Sequence, residues 1–451
     1  MGELPADRDI LSGTVRMAWP SIMESFLVSL VGMVDTFMVS SLGVYAIAAV
    51  GLTTQPKFIG LAVFISLNVA VSAIVARRKG EGNRESANKV LQQALLITGG
   101  LLVVVSTLCV AFADPILHLA GSQPDTHRPA VTYFRIVMGG MAFNVVSMVI
   151  NAAQRGAGNT RISLTTNLVS NLVNVVFDYL LIGGHFGFPA LGVAGASIAT
   201  VIGQFVAFAI AISVILKGNG FLKLEFRKGF KPDRGVLGDI LNIGLPAMVE
   251  QLLMRAGIII YAKTVASLGT VAYATHQVCM NIQALSFMTG QAFAVSATTL
   301  MGQSLGKRRY DMAQAYTSRT RTVGFLFSLI LAAIFVLFGG NIVGLYNSNP
   351  EIIRIGGHIM LIVAFLQPFQ SSQFIVAGGL RGAGDTRTTA MITFVTVLLV
   401  RPVFAIILIR MGLGLYGAWY ALAADQLLRS ALVLARYQSG KWKTIRLRNE
   451  V

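Results

Sequence analysis

The chain matches itself. Arg155-Gly156-Ala157-Gly158-Asn159-Thr160-Arg161 returns as Arg381-Gly382-Ala383-Gly384-Asp385-Thr386-Arg387, 226 residues later and with six identities in seven. Pro20 and Glu24 return at the same offset as Pro246 and Glu250, and Ser41-Leu42-Gly43 returns as Ser267-Leu268-Gly269. Ala70-Val71-Ser72-Ala73 returns two residues out of register at Ala294, and the offset is then restored at Gly80 and Gly306. One spacing held across a half-chain means duplication. In an apolar chain, duplicated halves point to a transporter whose path runs between them.

The apolar character is strong. Of 451 residues, 55% are hydrophobic and 12% charged, where soluble domains carry about 25% charge. Such a chain cannot cover a water-facing surface and reads as an all-α polytopic membrane protein. A crossing helix needs about 20 apolar residues. On that basis twelve spans are expected, at 14–40, 46–76, 90–113, 130–153, 162–184 and 190–216, then 238–266, 271–302, 320–340, 354–379, 388–410 and 413–437. The runs are too long for barrel strands. Cys109 and Cys279 both fall in apolar spans, so neither a disulfide nor a metal site is expected, and no cleavable signal peptide is visible.

The formal charge of +17 marks topology and not nucleic-acid binding, since positive charge collects in short cytoplasmic loops. With the N-terminus cytoplasmic, only Arg128, Arg135, Arg354 and Arg410 of the 36 Lys and Arg fall in outer segments. Both termini are therefore expected in the cytoplasm of a bacterial inner membrane. Six spans per half give both halves the same orientation, which sets a pseudo-twofold along the membrane normal. The organisation expected is an N-lobe over 1–216 holding an ion-coupling site, a basic cytoplasmic linker over 217–237 that includes Arg227 and Lys228, and a C-lobe over 238–451. In the repeated loop the glycines should reverse the chain, and Asn159 and Asp385 should cap the next helix.

Ionisable residues inside spans are functional candidates. Here they are Glu24, Asp35, Lys57, Asp178, Glu250, Arg255, Lys263, His276, Arg401 and Asp425. Lys57 and Lys263 can snorkel to an interface, His276 reads as a hydrogen-bonded structural histidine, and Asp425 reads as a pairing group. Glu24 and Glu250 share a place after a proline and so an architectural role. Asp35 lies deep in the first span. Asp178 closes a stripe with Asn167, Asn171 and Asn174, whose spacing puts all four on one helical face. Such a stripe lines a cavity or bonds neighbouring helices. At the repeat offset Asp35 becomes Tyr261, and the stripe becomes Thr393, Val397, Val400 and Phe404. Coupling chemistry is thus expected in the first half. Gln204, Met254, Arg255, Tyr261, Gln370 and Arg401 join Asn167, Asn171 and Glu250 as cavity-lining candidates. No nucleophile–base constellation suggests an enzyme.

The doubled RGAG(N/D)TR loops, Val34-Asp35-Thr36, Gly244-Leu245-Pro246-Ala247 and Ala274-Thr275-His276-Gln277 together resemble the MATE (multidrug and toxic compound extrusion) transporters over the full length. The resemblance implies two six-helix lobes, alternating access, and export of small organic, mostly cationic compounds in exchange for H⁺ or Na⁺, with no cofactor. It places the coupling cation, Na⁺ in a sodium-coupled member, at Asp35, Asn174 and Asp178, with Thr200 as a further match. Met254 and Gln370 stand where NorM-like members carry acids, so a DinF-like affiliation is expected. The chain is read as a monomer in the bilayer, without nucleic-acid partners. A flippase for a lipid-linked precursor is the alternative, because Arg255, Lys263 and Arg401 would suit an anionic head group.

Overall fold

The computed structural model describes residues 6–218, 220–224 and 231–446. Arg227 and Lys228 of the expected linker, and Arg448, lie outside the described residues. Among those described there is no β-strand. The helices are α1 (Asp7–Ser40), α2 (Val44–Gly80), α3 (Arg84–Ala111), α4 (Ala113–Leu119), α5 (Pro124–Gly139), α6 (Met141–Gly156), α7 (Thr160–Gly183) and α8 (Val193–Lys217). After these come α9 (Arg234–Ala266), α10 (Thr270–Gly306), α11 (Tyr310–Tyr346), α12 (Pro350–Gly382), α13 (Thr386–Thr393), α14 (Arg401–Leu408) and α15 (Gly414–Gln438).

Among the described residues ten helical runs are long and apolar enough to cross a membrane, and the pair α5–α6, bent by 48°, makes an eleventh span. The last run, Thr386–Gln438, has 53 residues. Straight, it would reach about 80 Å, far beyond a hydrocarbon core of about 30 Å. It is broken at Gly412 (φ 88°) and Gly414 (φ 53°), which makes two spans of it and twelve in all. The fourth span, expected at 130–153, is the bent pair Pro124–Gly139 and Met141–Gly156. It bends at Gly139-Gly140, and a Cβ on Gly140 would sit 2.7 Å from both Val201 methyls. The bend and the missing side chain let α8 approach.

The chain forms two compact units. One, the N-lobe, is Met23–Gly244; the other, the C-lobe, is Leu245–Arg446 with the described part of Met1–Ile22. The N-lobe core includes Val71, Ile74, Leu91, Ile150, Ile215 and Ile240. The C-lobe core includes Ile282, Val363, Leu366, Trp419 and Leu422, and Ala18 of α1 packs there with Phe293, Ala297 and Ile375. Large apolar side chains such as Val103, Leu108, Ile330 and Leu337 stay exposed. A lipid-facing surface accounts for that pattern, and a water-facing one does not.

The repeated loop has the same construction in both units. A Cβ on Gly156 would lie 2.5 Å from the Ser72 carbonyl oxygen, and one on Gly382 would lie 2.3 Å from that of Thr298. The first glycine therefore serves close helix packing. The second, Gly158 or Gly384, takes φ 88° or 89° and reverses the chain. Asn159 and Asp385 occupy the N-cap positions, but neither side chain caps a backbone N–H. Asp385 instead accepts from Thr388 Oγ1 at 2.7 Å and from Arg436 Nε at 2.6 Å. A neighbouring guanidinium outcompetes the cap bond because charge-assisted hydrogen bonds are the stronger kind.

Candidate functional site

Two glycines of α8 set the N-lobe site. Cβ atoms on Gly195 and Gly203 would fall 2.4 Å from the Leu181 carbonyl oxygen and 2.8 Å from that of Ser170. Ser170 Oγ donates to the Gly203 carbonyl at 2.7 Å. α7 and α8 thus touch backbone to backbone, which brings Thr200 of α8 beside Asp178 of α7.

The cavity there has about 200 Å³ and is walled by Asp35, Thr36, Thr54, Tyr133, Asp178 and Thr200, with apolar contacts from Val39 and Val50. Asp178 and Tyr133 are buried, and Asp35 is half-buried. The two carboxyls face each other within hydrogen-bonding reach, and each keeps a buried Oδ1 without a hydrogen-bond partner. Asn174, one turn before Asp178, is buried beside it with its amide N–H within hydrogen-bonding reach of the carboxyl. The Tyr133 hydroxyl bonds Thr200, whose own hydroxyl donates to the Ala196 carbonyl at 2.9 Å. Lys57 of α2 is the opposite charge that acts on Asp35. Carboxylate, hydroxyl and amide oxygens are the donors a hard cation selects, and the facing carboxyls alone suffice for a proton. Among the described residues no group of three or more His, Cys, Asp and Glu could hold a metal ion.

The structure draws together Asp35, Asp178, Asn174 and Thr200 and separates them from the rest of the stripe. Asn167 donates to Glu24 Oε1 at 2.5 Å. Ser163 Oγ reaches the same oxygen at 3.2 Å, and Arg155 bonds Ser163 at 2.7 Å and lies 3.8 Å from Glu24. Asn167 therefore belongs to a clamp and does not line this cavity. Asn171 and Gln204 are half-buried and also lie off it.

The C-lobe repeats the clamp. Glu250 accepts from Arg381 Nη2 at 2.5 Å, Thr389 Oγ1 at 3.0 Å and Thr393 Oγ1 at 3.4 Å. All four residues are offset by 226 from Glu24, Arg155, Ser163 and Asn167. Glu250, Met254, Arg255 and Arg401 line a C-lobe cavity of about 400 Å³. Tyr261 and Gln370 do not. Tyr261 is core, its hydroxyl donating to the Ala418 carbonyl at 2.7 Å. Gln370 is buried in a narrow crevice beside Ser371 and Phe374. His276 stands edge-on to Tyr261 and Trp419, and its buried Nδ1 has no hydrogen-bond partner.

Asp425 is fully buried between two arginines. Arg401 Nε donates to it at 2.9 Å, its Nη2 bonds the same oxygen, and Arg429 Nη2 donates to both oxygens at 2.6 and 2.7 Å. Sequence reasoning missed Tyr133, Lys57 as a partner of Asp35, and Arg429. The only advance signal for Arg429 is its i+4 spacing from Asp425 on one helix.

Twelve apolar spans and buried ionisable sites within them define a polytopic membrane transporter. The chain belongs to the MatE family: the family model, described as MatE, matches residues 20–180 and again 246–407. The second match begins 226 residues after the first, at Pro246 and Pro20. The chain is 30% identical over 441 residues to a Thermotoga maritima protein named probable multidrug resistance protein NorM, covering 96% of this chain and 94% of that one. It is 28% identical over 379 residues to multidrug resistance protein MdtK of Yersinia pestis, covering 84% and 83%. A solved MOP superfamily transporter from Pyrococcus furiosus superposes with a TM-score of 0.90 at 22% identity, covering 98% of this chain and all of that one.

Proposed function

We propose that this chain is a multidrug efflux antiporter of the bacterial inner membrane that exports small organic compounds, cations foremost, in exchange for H⁺ or Na⁺ by alternating access. The observation that carries this is the facing pair Asp35 and Asp178, each with an unpartnered buried oxygen, in an N-lobe cavity. Like charges held together in a desolvated space repel. With Lys57 acting on Asp35, two carboxylates and one ammonium leave one formal negative charge. One proton or one monovalent cation neutralises it. Asn174 and Thr200 supply further oxygens for Na⁺. Ion binding drives transport if the ion prefers one conformation of the lobe. The NorM and MdtK names of the relatives support drug efflux as the cargo reaction.

The test is ethidium efflux from proteoliposomes under separately imposed Na⁺ and pH gradients. Stimulation by one gradient, lost in Asp35→Asn, is the expected result. Efflux indifferent to both gradients overturns the antiport reading. The flippase alternative draws on the arginines of the C-lobe cavity. It requires directed movement of a fluorescent pyrophosphate-linked lipid in the same vesicles.

A further inference from the structure

We propose that the C-lobe cavity is a binding site for the anionic group of a small organic anion with an aromatic or apolar body. Four guanidiniums, of Arg255, Arg381, Arg401 and Arg429, line the cavity against one lining carboxylate, Glu250. Glu250 is taken by Arg381, and Asp425 lies behind Arg401 and Arg429 as the one carboxylate between two cations. The lining is therefore positive, and positive charge inside a membrane span is costly unless an anion answers it. An organic cation would meet repulsion here.

Hydrogen-bond donors point the same way. Arg429 Nη1 rests 3.6 Å from the Met254 sulfur, and a thioether is a weak acceptor. That donor is better satisfied by a carboxylate, sulfonate or phosphate oxygen. Gln283, 3% exposed and part of the lining, has an unpartnered Nε2. Guanidiniums recognise carboxylate and phosphate-like oxyanions through paired N–H bonds. The rest of the wall suits a hydrophobic body. Phe287 and Phe374 pack edge-to-face at 4.4 Å, and Met280 and Met288 offer adaptable surface. About 400 Å³ falls in the range of small-molecule sites.

The duplication argues that this charge is not a requirement of the fold. At the repeat offset Arg255, Arg401, Asp425 and Arg429 become Ser29, Val175, Ala199 and Gly203. The N-lobe builds the same helices without these charges.

The test uses the full chain in phosphatidylcholine nanodiscs and a matched pair of probes, naphthalene-2-sulfonate and naphthalen-2-ylmethylammonium, titrated by calorimetry. Saturable sulfonate binding, at least about tenfold tighter than the ammonium, is expected. Arg255→Gln should weaken the sulfonate at least about tenfold, the scale of one charge-assisted hydrogen bond. Gln283→Leu, which leaves every ion pair intact, should weaken it about threefold or more. Lys263→Gln removes a charge from the same helix at an exposed position and should change nothing. Equal or tighter binding of the ammonium, or sulfonate affinity unmoved in both Arg255→Gln and Gln283→Leu, overturns the proposal. The titration is repeated with phosphatidylglycerol in the disc. A tenfold loss of sulfonate affinity there would make a lipid head group the occupant and overturn the free-anion assignment; unchanged affinity supports it.

Discussion

The two lobes share a frame and oppose each other in charge. Each closes a Glu–Arg clamp with residues at one spacing: Glu24 with Arg155, Ser163 and Asn167, and Glu250 with Arg381, Thr389 and Thr393. Each uses its RGAG loop in the same two ways. Yet the N-lobe cavity centres on two carboxyls and the C-lobe cavity on arginines. Position by position, Asp35, Asn174 and Asp178 face Tyr261, Val400 and Phe404 across the repeat, while Arg401 and Arg429 face Val175 and Gly203. Helix packing constrained the clamps and glycines after duplication, because each meets backbone or a buried partner. The cavity walls did not keep their charges: Asp35 and Asp178 have no acidic counterpart in the C-lobe, and Arg401 and Arg429 no basic one in the N-lobe.

The largest expected break between the lobes is in transport. Asp35→Asn and Asp178→Asn should each lower gradient-driven efflux by about a hundredfold or more, in the range of removing an essential charged group. Phe404→Leu, at the C-lobe equivalent of Asp178, should leave it within about twofold. Proteoliposome efflux at matched protein density decides this, and comparable losses in all three would erase the asymmetry.

Next is the shared orientation. Gly82 and Arg308 are equivalent residues in equivalent loops. In a background lacking Cys109 and Cys279, single cysteines at both should be shielded from an impermeant maleimide in intact cells. A cysteine at Gly184, in the loop after α7, should be labelled. Opposite labelling of residues 82 and 308 would break the parallel repeat.

The clamps should differ in strength. Glu250 and Arg381 side chains are 7% and 14% exposed at 2.5 Å, against 15% and 20% for Glu24 and Arg155 at 3.8 Å. Breaking the more buried pair leaves a charge uncompensated, so Glu250→Ala should cost about 3 kcal/mol. Glu24→Ala should cost about 1 kcal/mol, the scale of ordinary hydrogen bonds. Thermal unfolding in detergent reads the contrast, and equal shifts would deny it. The smallest difference is expected at the glycines. Gly156→Ala and Gly382→Ala both push a methyl into a carbonyl oxygen. Each should cost about 1–3 kcal/mol, and the two should agree within about 1 kcal/mol. A loss confined to one lobe would show that the loops do not do the same work.

Much of this was open to a reader of the chain alone. Duplication, twelve apolar spans and the reversing glycines all follow from local pattern, since the length of an apolar run and the presence of Gly act within a few residues of sequence. The stripe on α7 marks a face, because helical period orders side chains around one axis. What lies opposite that face is a long-range matter. Only the tertiary structure pairs Asn167 with Glu24 from 143 residues away, adds Tyr133 and Lys57 to the Asp35–Asp178 site, and turns Arg401 toward Asp425 and Arg429. Those partners are chosen by which helices touch. Helix contact is decided by distributed packing, such as the backbone approach at Gly195 and Gly203, and no single segment encodes it.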